Sequence, residues 1–167
     1  MNIQNNIKEI KNNIFKKENF LFLTFMIIIF ILDRFTKLKM INNFNGNSYY
    51  INDYINLELI WNTGIGFGLL SSNTTLIYNF ITVFIGIIIL AMVLTLIVSK
   101  NLIEKIIFSI IIGGACGNIY DRLTYRAVPD FIDIHYQNFH WFVFNLADIF
   151  ITLGIILFLI RGFIVKE

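Results

Sequence analysis

Asp130 and Asp148 are two acids that can serve hydrolysis as a pair. Asp130 lies in Val128-Pro129-Asp130-Phe131, and Asp148 closes Phe144-Asn145-Leu146-Ala147-Asp148. The chain between them is long enough to run out, turn and return, so the two carboxyls can face each other. Two carboxylates in a dry site do not both ionise cheaply, and one tends to keep its proton. The ionised partner then deprotonates a water while the protonated partner activates a carbonyl, the pairing that peptide hydrolysis needs. A plainer reading stands beside this one. Asn145 is a good helix N-cap, and an acid three residues later resembles a capping box at the positive end of the helix dipole. Spacing alone leaves both open.

Other polar groups gather at the ends of apolar segments. One segment ends in Asp33-Arg34-Phe35-Thr36-Lys37, another in Gly113-Gly114-Ala115-Cys116-Gly117-Asn118-Ile119-Tyr120-Asp121-Arg122. Asp33 and Lys37 stand in the favourable i, i+4 order, worth only about 0.3–0.5 kcal/mol on a wet surface. At membrane depth, positioning a polar backbone is the stronger reading. Arg122 reads as a lipid-headgroup anchor, with Asp121 beside it as neutraliser. Gly113, Gly114 and Gly117 suit close helix contact. Asp133, His135 and His140 can be imagined as metal ligands with Asp130. They show no recognisable ligand spacing, so they are expected to face solvent and no metal is assigned. Glu58 and Asp53 read as solvated. Ser71, Ser72 and Ser109 lack a base at a persuasive spacing, which disfavours a serine–lysine peptidase.

The elements that must position these groups are set by composition. At 167 residues and 57% hydrophobic, with a mean hydropathy of +0.72, the chain is too apolar for an ordinary soluble domain. Its size fits one membrane bundle. A net charge of +2, with no basic block interleaved with aromatics, gives no case for nucleic acid. Cys116 is the sole cysteine, which excludes an internal disulfide and a thiolate cluster. Leu76–Val98 is long enough to cross alone, since roughly 20 residues span the hydrocarbon core. Phe20–Leu32, Ile106–Gly117 and Ile149–Ile160 are too short and must take their polar ends into the membrane. Ionisable groups at that depth mark a site by default.

These lengths predict an all-α membrane protein of one domain, residues 1–167. A cytoplasmic tail (1–19) precedes four spans near 20–41, 76–98, 102–122 and 145–164. Lys8, Lys11, Lys16, Lys17, Lys100, Lys105, Arg161 and Lys166 outnumber Arg34, Lys37, Lys39, Arg122 and Arg126 on the other side. The positive-inside rule then gives N-in/C-in and an extracytoplasmic polar cluster. The lysine-bearing tail and first apolar run lack a small-residue cleavage site and read as a retained signal anchor. Ile55, Leu57, Leu59 and Trp61 alternate with polar residues, and Ala127–Tyr136 offers a second alternation. Together they predict a small outer β-sheet, with Pro129 at a strand start or edge and Trp61 and Trp141 as interfacial anchors. Asn62-Thr-Gly-Ile-Gly-Phe-Gly68 lacks the Gly-Lys-Ser/Thr of a phosphate loop. A non-enzymatic proton-relay or scaffold subunit is the rival reading, but it predicts acids spread through the membrane depth. A metal-dependent membrane hydrolase is disfavoured by the ligand count.

Five blocks together resemble, in order and spacing, the motifs of lipoprotein signal peptidase (signal peptidase II). They are Asp33…Lys37, Asn62–Gly68, Gly113–Arg122, Val128–Asp133 and Phe144–Asp148. The resemblance covers about residues 20–165. It implies an aspartyl endopeptidase of the bacterial inner (plasma) membrane that cuts a prolipoprotein just before its diacylglyceryl-modified cysteine. By motif, Asp130 and Asp148 match the catalytic pair. Asp33, Lys37, Asn62, Asn118, Arg122 and Asn145 match supporting residues that position the substrate backbone or the pair. The resemblance further implies no metal or organic cofactor, contact with membrane phospholipids, inhibition by globomycin-type cyclic peptides, and a monomer. Ile65-Gly66 and Pro129 depart from the usual pattern without touching a catalytic group.

Overall fold

The short apolar segments are completed by their own polar ends. A computed structural model describes residues 16–44, 46–64 and 75–164. Its helices are α1 (Lys17–Asn43), α2 (Thr75–Val98), α3 (Leu102–Tyr125) and α4 (Leu146–Ile164). α1 continues unbroken past Asp33 and Lys37. α3 takes in Glu104 and Lys105 at its start and Asn118 to Arg122 at its end. Asn101 begins α3 by accepting from the backbone N–H groups of Ile103 and Glu104, at 2.9 and 3.2 Å, which satisfies donors the first turn leaves orphaned.

α2, α3 and α4 are each long and apolar enough to cross a membrane. α3 is the axis: half of its most apolar stretch is buried, against 17% for α2 and 11% for α4. The outer faces carry exposed Phe80, Val83, Leu90 and Phe163 among many others. A surface of that kind suits lipid rather than water. Inside, Phe22, Leu96 and Ile112 pack with Met26, Met92, Phe108 and Cys116. Lipid tails are as apolar as leucine, so close packing and buried polar bonds carry the association of the helices. Gly114 serves this directly. A Cβ there would come within 2.7 Å of the Ala147 carbonyl oxygen on α4. The end of the bundle away from the aspartates has its own ties. Lys105 donates to Asn19 Oδ1 at 2.8 Å, and Arg161 pairs with Glu104 at 2.7 Å.

Above the helices, β1 (Tyr49–Asn52), β2 (Ile55–Asn62), β3 (Val128–Tyr136) and β4 (Phe139–Phe144) form an antiparallel sheet in that spatial order. β2 and β3 fall on the two stretches of expected alternation, but the faces of β3 are reversed, with Phe131 and Asp133 buried and Ile134 and Tyr136 exposed; β1 and β4 were not anticipated. Asn62 stands opposite Val128 and Trp61 opposite Pro129, while β4 pairs with β3 only from Ile132 onward. Pro129 thus sits at a strand start where its missing N–H has no β4 partner to disappoint.

Candidate active site

Two elements deliver the two acids. Asp130, at the start of β3, is 2% exposed. Its Oδ2 accepts from Asn62 Nδ2 at 2.8 Å and its Oδ1 from Asn145 Nδ2 at 2.6 Å. Asp148 lies in the first turn of α4. Its Oδ1 accepts from Asn118 Nδ2 at 2.8 Å and its Oδ2 from the Asn145 backbone N–H at 3.1 Å. Asn145 therefore holds both carboxylates, one by its side chain and one by its backbone. Its remaining oxygen accepts the Asp148 N–H at 3.1 Å, so the reciprocal capping box is present as well. Capping and pairing coexist because each carboxylate oxygen has two lone pairs.

Burial pushes the Asp130 carboxyl up to about 7. The nearby charge of Asp148 adds to the rise, and the amides of Asn62 and Asn145 pull against it. An acid so placed exchanges its proton near neutral pH, where general acid–base chemistry is most effective.

A buried ionic network lies behind the pair. Lys37, wholly buried, bonds Asp33 at 2.8 Å and Asp121 at 2.7 Å, and donates to Asn118 Oδ1 at 2.8 Å. Asp33 Oδ1 also accepts the Ala147 N–H at 3.0 Å, tying α1 to the start of α4. Gly117 leaves the space for this, since a Cβ at that position would overlap the Asp33 carboxylate. Asp121 does not neutralise Arg122 as expected. It pairs instead with Arg34 and Lys37, because the rotation of α3 turns it toward α1. Arg122 is not a headgroup anchor either. It is 4% exposed and donates to the Gly64 carbonyl. Its Nε and Nη1 find no hydrogen-bond acceptor among the described residues.

All eight singled-out residues thus cluster, except that Ile65–Gly68 of the Asn62 block lies outside the described residues. Asn62 itself is positioned by an Asx turn, its Oδ1 accepting the Gly64 N–H at 2.7 Å. Sequence reasoning missed Arg34 and the true partners of Asp121. The available signal was that Arg34 lies three residues before Lys37, on the same helix face. Asp133, expected to face solvent, is instead buried at 1%. Beside Asp148 opens an apolar cavity of about 340 Å³ lined by Phe144, Ile149, Thr152, Leu153 and Ile156.

Two carboxylates held by one asparagine lie at one end of an apolar helical bundle. Residues 25–164 match the family described as signal peptidase (SPase) II, and the chain belongs to that family. A lipoprotein signal peptidase of Pelagibacter ubique is 49% identical over 147 residues, covering 86% of this chain and 88% of the relative. One from Anaplasma phagocytophilum is 40% identical over 136 residues, covering 79% and 85%. Among solved structures, a bacterial membrane enzyme determined by the in meso method at 2.3 Å resolution is similar, with a TM-score of 0.76 and 26% identity. It covers 88% of this chain and 93% of the other.

Proposed function

We propose that this chain hydrolyses the peptide bond preceding a diacylglyceryl-modified cysteine, releasing the signal peptide of a prolipoprotein through water activated by Asp130 and Asp148. The observation that carries this reading is the double grip of Asn145 on both carboxylates. A shared holder of this kind supports two acids from separate elements acting on one water.

The pair enters the reaction sharing one proton. One carboxylate takes a proton from water as the oxygen attacks the scissile carbonyl carbon, and the other gives its proton to the carbonyl oxygen. Collapse of the tetrahedral intermediate passes a proton to the cysteine nitrogen. The products are a carboxyl terminus on the signal peptide and a free amine on the lipidated cysteine. Asn62, Asn118 and Asn145 orient the carboxylates, while Asp33 and Lys37 fix Asn118 and the start of α4. Arg122, with donors to spare, is placed to hold a substrate carbonyl. No metal takes part in this scheme.

Four spans with both termini inside put the site at the extracytoplasmic face of the bacterial inner membrane, in a single domain covering residues 1–167. There the acyl chains of the substrate, anchored among phospholipids, hold the scissile bond at the depth of the aspartates, and positioning of that kind lowers the barrier. The apolar cavity beside Asp148 suits the greasy signal segment and globomycin-type cyclic peptides. The enzyme acts as a monomer. A proton-relay or scaffold role is disfavoured by membership of a peptidase family.

The test is cleavage of a precursor, with and without its diacylglyceryl group, by the purified chain in detergent. Release of the signal peptide from the lipidated form alone, blocked by globomycin, is expected. Equal cleavage of the unmodified form would remove the lipid from the substrate definition.

A further inference from the structure

The β3–β4 hairpin holds a second cluster that the hydrolytic scheme does not use. Asp133 Oδ2 lies 2.8 Å from His140 Nδ1 and 3.6 Å from His135 Nδ1. His135 and His140 face each other across the strands, with ring centroids 5.2 Å apart. One donor atom from each of the three residues lies within 4.8 Å of the others. The Asp133 side chain is 1% exposed, yet its Oδ1 makes no hydrogen bond, and neither does His135 Nδ1. Asn56, opposite Asp133 on β2, has an equally unmatched Oδ1. A buried carboxylate oxygen and a buried ring nitrogen left without partners are costly. Hydrogen bonding between Asp133 and His140 answers for one oxygen and one ring only.

We propose that Asp133, His135 and His140 bind one divalent transition-metal ion of the zinc class, which pins β3 to β4. Two imidazoles and a carboxylate form the donor set that borderline ions favour over magnesium or calcium. Zinc bonds to nitrogen and oxygen of about 2.0–2.2 Å put neighbouring tetrahedral ligands roughly 3.3 Å apart. The separations here bracket that value, so small side-chain rotations close the site. Three protein ligands leave a fourth position for water. Bound through Asp133 Oδ2, from which those separations run, the ion would satisfy the unmatched nitrogen of His135 and neutralise the buried carboxylate. Its role is structural: none of the three ligands bonds Asp130 or Asp148, but the hairpin they cross-link runs from Asp130 at one end to Asn145 just past the other.

The chain has two histidines, so loss of either removes a large part of the site. Protein carrying no polyhistidine tag would be stripped with chelator in detergent and titrated with Zn²⁺ by calorimetry, with thermal midpoints measured in parallel. One ion per chain and a raised midpoint are expected, with binding at least tenfold weaker in His140→Ala, His135→Ala and Asp133→Asn. His140 is 54% exposed, so its alanine variant should keep the fold, which cleavage of lipidated precursor verifies. Failure of the stripped wild type to bind one equivalent would overturn the proposal, as would unchanged affinity in folded His140→Ala. Displacement of Zn²⁺ by tenfold Mg²⁺ would likewise overturn it.

Discussion

Lys37 donates to the amide oxygen of Asn118 at 2.8 Å, and this fixes which way that amide faces. An ammonium only donates, so the Asn118 NH₂ must point the other way, to Asp148 at 2.8 Å. The orientation of one member of the aspartate pair is thereby set from α1, far away in sequence. Asn118→Ala should therefore lower kcat while leaving KM nearly unchanged. A hydrogen bond to a charged group is worth about 1.5–3 kcal/mol, so a fall of roughly 10- to 100-fold is expected. Steady-state kinetics on lipidated precursor check it.

Removing Lys37 itself should be felt mainly in stability. Asp33 and Asp121 both face its ammonium with no exposed surface. Breaking a buried ion pair by deleting one partner costs about 3–5 kcal/mol. Lys37→Met should melt far below the wild type in detergent. Adding Asp33→Asn should restore part of the loss, because the stranded carboxylate is gone while Asp121 keeps its ion pair with Arg34. A double variant no more stable than Lys37→Met would refute the electrostatic origin.

Asn145 performs two tasks that substitution can separate. Asn145→Ser keeps a cap oxygen for the Asp148 N–H but loses the amide that donates to Asp130. Serine and asparagine are nearly equal N-caps, so the thermal midpoint should move little. Turnover should still fall, by about 10- to 100-fold for the lost bond to a carboxylate. Asn145→Ala should lose turnover too, and about 1 kcal/mol of stability with the cap.

Asp130 gives a pH signature. Its folded value of about 7 lies above the 3.8 of a free aspartate. The stability tied to its proton is thus complete below about pH 4 and is lost as pH rises through about 7. The thermal midpoint of the wild type should fall between pH 5 and pH 8, and fall less in Asp130→Asn, which cannot ionise. Turnover should decline above neutrality as the pair loses its shared proton.

Much of this site can be read in the chain because lipid is an unforgiving solvent. Asp33, Lys37, Asn118 and Arg122 were marked by the expectation that their apolar segments are too short to cross a membrane without them. Asn145 and Asp148 were marked by cap spacing, and β2 by its alternation. Partner choice was not readable. Whether Asp121 meets Arg122 or Lys37 depends on the rotation of α3 about its axis, which neighbouring residues in sequence do not encode. β4 was hidden for a different reason. Phe139-His140-Trp141-Phe142-Val143-Phe144 shows no polar alternation, and its turn uses Gln137 at φ 53° where glycine or asparagine would have signalled a hairpin. The burial of Asp133 was hidden because β3 turns inward the face that carries Phe131 and Asp133, not the one that carries Ile134 and Tyr136.

The most direct test is single-turnover cleavage of lipidated precursor by Asp130→Asn and Asp148→Asn, each shown by its thermal midpoint to be folded. Each carboxamide removes a proton carrier, so both rates should drop by about 10³-fold or more. Turnover within tenfold of the wild type by either folded variant would contradict catalysis by the aspartate pair.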